Sequence, residues 1–133
     1  MGPGRREALR MFLIRTRLGP SAIHGIGVFA DEPAAAGQEI WRFAPGIDQV
    51  ISLAQAGTLP EAFRHYLATY AYLSPAFPGC YVLSGDHAKF MNHAEAPNTA
   101  IDGHVTRAAQ AIAVGDEVTC DYRLFVEGWT GFD

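Results

Sequence analysis

Phe90-Met91-Asn92-His93-Ala94-Glu95-Ala96-Pro97-Asn98 sets an asparagine and a histidine side by side within an apolar run. Both bring donors and acceptors that cost free energy when buried without partners. A chain that keeps them beside Phe90 and Met91 aims them at something polar. Two other segments share this mixture of backbone freedom and polar side chains. Upstream stands His24-Gly25-Ile26-Gly27, and downstream Gly115-Asp116-Glu117-Val118-Thr119-Cys120-Asp121-Tyr122.

Outward from that run the chain reads as short strands. Phe12 to Arg17 alternates apolar and polar residues and predicts a strand. Leu18 to Gly27 reads as a glycine-rich loop, Val28-Phe29-Ala30 opens a second strand, and Glu39 to Phe43 forms a third. Ser52 to Ala56 predicts a short helix stopped at Gly57. The main helix follows Thr58-Leu59-Pro60-Glu61, which has capping-box spacing. Phe63, Tyr66, Leu67, Tyr70 and Ala71 recur at helical spacing and predict a core-facing stripe, with Tyr66 and Tyr70 as core. Pro75 and Pro78 bar continuation. Tyr81 to Leu83 predicts a strand. Thr99 to Ile101 and His104 to Ala108 flank Asp102-Gly103, a two-residue hairpin signal. Val118 to Asp121 predicts the last strand. Phe29 to Ile40 also echoes Ala108 to Val118, each a strand, a glycine turn and a strand. The two units are expected to pair as corners of short strands.

The 133 residues predict one domain, with 49% apolar and 18% charged residues. Met1 to Arg10 reads as a flexible leader, residues 11–124 as the domain, and 125–133 as an aromatic tail. The net charge of −4 lacks the basic footprint of a nucleic-acid binder and suits a basic partner. No apolar run approaches ~18 residues, so no membrane span is read. Cys80 and Cys120 form no C-x-x-C pair, and no signal segment is read. Two reduced thiols are expected. His24, His87 and His104 lack ligand spacing, so no metal is expected.

Each motif alone has a plain reading. A G-x-G followed by a strand is a turn and not a dinucleotide fingerprint. Asn92 and His93 either cap backbone groups or hold a ligand. Glu117 reads as a salt bridge or surface charge, and Tyr122 as packing. Taken in order, the three resemble the SET domain of protein lysine methyltransferases. That family shows a G-x-G, then R-F-x-N-H-S-x-x-P-N, then G-E-E-L-x-x-D-Y. Here the second block begins Lys89-Phe90-Met91-Asn92-His93. The resemblance spans Phe12 to Tyr122.

It implies a mostly β fold with one main helix: a β-clip of short curved sheets with a pseudoknot-like C-terminal crossing. It implies methyl transfer from S-adenosylmethionine to the side-chain amine of a lysine in a basic protein or peptide, leaving S-adenosylhomocysteine. A catalytically silent module of the same fold that binds a peptide is the alternative. Gly25, Ile26, Gly27, Asn92 and the His93 backbone would hold the cofactor. Tyr122 would be catalytic, and Cys120 and Tyr72 would line the substrate channel. A small Cys120 would leave room for more than one methyl. No cysteine follows Cys120, so no zinc cluster closes the site; Trp129 and Phe132 would cover it instead. The family's Y-x-G-E motif is not visible around the third strand, which leaves one channel aromatic unassigned. The zinc-free form resembles viral and bacterial members. That implies a cytoplasmic location, or a nuclear one in a eukaryote, and allows a homodimer. A histone, a ribosomal protein or another basic tail would serve as substrate.

Overall fold

The computed structural model describes residues 12–74, 76–103 and 105–124. Among these residues, ten short strands form three small sheets. The first sheet orders Thr16–Pro20 (β1), Ile26–Ala30 (β2), Glu117–Cys120 (β10) and Asn92–His93 (β7). The second orders Glu39–Arg42 (β3), Val105–Ala108 (β9) and Thr99–Asp102 (β8). The third orders Gln49–Ser52 (β4), Cys80–Leu83 (β6) and Tyr72–Leu73 (β5).

The echo between Phe29–Ile40 and Ala108–Val118 is a structural pairing. Ala30 N–H donates to Asp116 O at 2.9 Å, and Ala108 N–H to Gln38 O at 2.8 Å. Gly115 N–H donates to Ala30 O and Gly37 N–H to Ala108 O, both at 2.8 Å. Ala34 and Ile112 exchange bonds of 2.9 Å at the centre. Gly37 and Gly115 take φ of +82° and +92°, where a Cβ is strained. Two similar corners thus clasp each other about a local two-fold axis. Their inward residues Val28, Ala30, Ala34, Ile40, Ala108, Ile112 and Val118 form the core, joined by Ile14, Met91 and Cys120.

Three local expectations are corrected. The first strand starts at Thr16, and Leu18–Pro20 and Ile26–Gly27 are strand, not loop. The antiparallel ladder from Thr16↔Ala30 to Pro20↔Ile26 satisfies their backbone groups, and Pro20, lacking an N–H, sits at its end. Phe12 makes only an isolated bridge to Trp41. The capping box does not form either. The main helix spans Glu61–Tyr70 and starts from Pro60 without a side-chain cap. Pro60 presets the φ that begins a helix. Thr58 Oγ1 instead donates to Gln55 O at 2.7 Å, closing the short helix Leu53–Ala56, whose N-cap is Ser52. Finally, only Leu67 of the predicted stripe is buried. Phe63, Tyr66, Tyr70 and Phe90 form a chain of ring contacts with centroids 4.9–5.5 Å apart. Tyr66 and Tyr70 stay half-buried.

Candidate functional site

β1 and β2 are joined by residues 21–25, a turn closed by Ser21 N–H to Gly25 O at 2.8 Å. Gly25 has φ +49° and open space where a Cβ would stand. The turn is anchored from outside. Asn92 Nδ2 lies 2.9 Å from His24 O, 3.1 Å from Ile26 O and 3.0 Å from Glu117 Oε2. Glu117 Oε1 and Oε2 lie 2.8 and 2.9 Å from the Ser21 hydroxyl, which itself accepts from Ile23 N–H at 2.9 Å. Glu117 is therefore not a surface charge. Its carboxylate covers Gly27 so closely that a Cβ there would lie 2.3 Å from Oε2. An amide with two N–H groups faces three acceptor oxygens, so this corner is acceptor-rich.

The same Asn92 begins β7, which runs parallel to β10 with Thr119↔Asn92 and Cys120↔His93. The other flank of β10 is held by Asn98. Its Nδ2 donates to Glu117 O at 2.8 Å, and its Oδ1 accepts from Thr119 N–H at 2.9 Å. One side-chain amide thereby acts as a neighbouring strand. Past the end of β10, Tyr122 N–H donates to His93 Nδ1 at 3.0 Å. That bond makes Nδ1 the acceptor nitrogen of the His93 ring. The Tyr122 hydroxyl donates to the Met91 carbonyl. The His93 ring is buried and serves to position Tyr122.

Tyr122 lines a cavity of about 290 Å³ together with Tyr72, Cys120, Trp41, Lys89 and Met91. Burial raises the Tyr122 phenol above its ordinary range, helped by Cys120 and Glu117. Burial likewise raises Tyr72, helped by Asp48 and Asp86, and pushes the Cys120 thiol up to about 12. All three therefore remain neutral hydrogen-bonding groups at neutral pH. Desolvation that resists their ionisation also resists an ammonium, so an amine entering this cavity is drawn toward its neutral, nucleophilic form.

The structure thus brings Gly25, Ile26 and Gly27 against Asn92, and Tyr72, Cys120 and Tyr122 around one cavity. The parallel pair β7 and β10 joins the two groups. Trp129 and Phe132 lie outside the described residues. Sequence reasoning missed Glu117 as the clamp on the turn, and Trp41 and Lys89 as cavity walls. Trp41 stands where the channel aromatic was unassigned. Its pairing with Thr106 across β9 brings both to the cavity, and register of that kind is not written in local spacing. Glu117 was within reach: a carboxylate placed one residue before the apolar Val118 and Cys120 faces a polar partner when its strand is interior.

This arrangement is a methyltransferase-type fold: three small open sheets, with a glycine turn, an Asn-His strand and the tyrosine that follows β10 converging. Residues 25–123 match the SET domain family, and the chain belongs to that family. Among solved structures, it is similar to a humanized mutant of the Chaetomium thermophilum Polycomb Repressive Complex 2 bound to the inhibitor GSK126. The TM-score is 0.63 at 20% identity, covering 86% of this chain. This chain spans 16% of that one. No curated protein sequence matches it.

Proposed function

We propose that the chain is a protein-lysine N-methyltransferase. It transfers a methyl group from S-adenosylmethionine to a lysine amine of a basic protein and leaves S-adenosylhomocysteine. One observation carries the reading: Tyr122 lines the cavity while β7, paired to the strand just before Tyr122, holds the turn at residues 24–26 through Asn92. The acceptor-rich corner fits a cofactor bearing an ammonium, which the carbonyls of His24 and Ile26 and the Glu117 carboxylate would receive. Exposed Gly25 leaves room for close backbone approach. When bound, the cofactor supplies an electrophilic methyl group on a sulfonium.

The protein's part is positioning and desolvation. The Tyr122 hydroxyl donates a hydrogen bond to Met91 O, and a phenol oxygen engaged as a donor can also accept, here from an amine N–H. The raised pKa keeps that phenol from ionising. The apolar walls favour the neutral amine, and its proton leaves to water at the open side. Cys120, smaller than an aromatic residue, leaves space beside the amine for more than one methyl.

The test is incubation with labelled S-adenosylmethionine and a mixture of lysine-rich proteins, alongside calorimetry with S-adenosylhomocysteine. Label on lysine is expected to fall roughly 10²-fold or more in Tyr122→Phe, with calorimetric affinity retained. Affinity without label on any protein would make the chain a silent binding module. No uptake of either molecule would overturn the reading.

A further inference from the structure

The chain contains a single lysine, Lys89. It lies on the 3-10 turn His87–Phe90 directly before β7, is half-buried, and lines the same cavity as Tyr122. Its Nζ stands 5.8 Å from the centroid of the Phe90 ring. Phe90 in turn meets Tyr70, which with Lys89 lines the cavity, edge to face at 5.4 Å. No carboxylate pairs with Lys89 among the described residues. The ammonium therefore lies within cation–π reach of the Phe90 ring, whose face suits an alkylated ammonium as well as a plain one. The motif this segment resembles carries arginine at this position. A guanidinium stays protonated and offers no amine lone pair, whereas a lysine does once it loses a proton.

We propose that Lys89 is methylated by the site of the same molecule, an inference that rests on the methyl-transfer reading above. The Lys89 ammonium gives a proton to water at the open side of the cavity. The Nζ lone pair forms a bond to the methyl carbon of the sulfonium donor. The carbon–sulfur bond breaks with its electron pair going to sulfur, leaving a neutral thioether and a methylated lysine cation. An unmethylated Lys89 competes with an external lysine for this space.

The experiment uses the full chain, methyl-labelled S-adenosylmethionine, and an added lysine-rich histone mixture in parallel samples. The Lys89 peptide is weighed by mass spectrometry, both in the protein as purified and after incubation. One to three added methyl groups are expected on Lys89, and none on the corresponding peptide of Lys89→Arg. The rate constant should not depend on protein concentration. Modification should fall roughly 10²-fold in Tyr122→Phe. Excess S-adenosylhomocysteine should suppress it equally, a control that needs no substitution. Label on the histones with Lys89 unmodified would overturn this proposal and leave the methyl-transfer reading standing. A rate constant proportional to protein concentration would place the reaction between molecules and overturn it as stated. Absence of both label and calorimetric uptake of S-adenosylhomocysteine would overturn both.

Discussion

Replacing Gly27 with alanine probes the clamp most directly. The new Cβ would lie 2.3 Å from Glu117 Oε2, 2.8 Å from Glu117 Cδ and 3.1 Å from Ser21 Cβ. A free glutamate would swing aside at little cost. This one gives up the Ser21 hydroxyl at 2.8 Å and the Asn92 amide at 3.0 Å. Hydrogen bonds to charged groups contribute about 1.5–3 kcal/mol each, and water reaching the half-exposed carboxylate returns part, so a net loss of about 2–3 kcal/mol is expected. For a domain of this size that is a fall in Tm of roughly 10 °C. Glu117→Ala removes the same bonds and loses about as much. The double variant has no carboxylate to displace, so it should be no worse than Glu117→Ala alone. The cycle then shows a coupling of about 2 kcal/mol, read from denaturant unfolding curves. Single losses that add to within about 0.5 kcal/mol in the double variant would refute the clamp. So would a Gly27→Ala chain as stable as the parent.

Three further outcomes concern the buried groups Cys120 and Asp48. Cys120 has a folded pKa of about 12 against an ordinary 9.0. Raised in the folded state, it contributes stability that is whole below pH 9 and is lost as pH climbs toward 12. Base-induced unfolding should begin in that window and move upward in Cys120→Ala, monitored by circular dichroism. At pH 8, maleimide should label half-buried Cys80 well before Cys120, and equal rates would contradict the burial argument. Asp48 is buried and accepts Ala44 N–H at 2.7 Å and Gly85 N–H at 2.8 Å. Burial raises its pKa, so its ionisation opposes folding, and that opposition eases as pH falls through the raised value. Asp48→Ala strands both N–H groups and should cost about 2–4 kcal/mol. A loss below about 0.5 kcal/mol would show that the two groups find other partners.

Local rules read the chain well where one segment answers to itself. The helix Leu53–Ala56 has its Ser52 cap and Gly57 stop. A hairpin forms where Asp102-Gly103 signalled one, but one residue on: Asp102 ends β8 paired with Val105, and Gly103 turns at φ +62°. They failed where a distant segment supplied the partner. Leu18 and Gly19 are strand because β2 pairs with them. Thr58 abandons its capping box because the helix upstream takes its hydroxyl.

The residues alone determined that three motifs stand in a fixed order, each carrying groups too polar or too free for an ordinary core, and that two glycine corners repeat. Those facts lie in covalent order and residue chemistry, which no folding step alters. Only the tertiary structure decided what each group touches: that Glu117 holds the turn with Asn92, that His93 orients Tyr122 through its backbone, and that Trp41 and Lys89 share the tyrosine's cavity. The reason is register. A strand shifted by one residue turns every side chain to the opposite face, and the pairing that prevents the shift comes from residues far away in the chain.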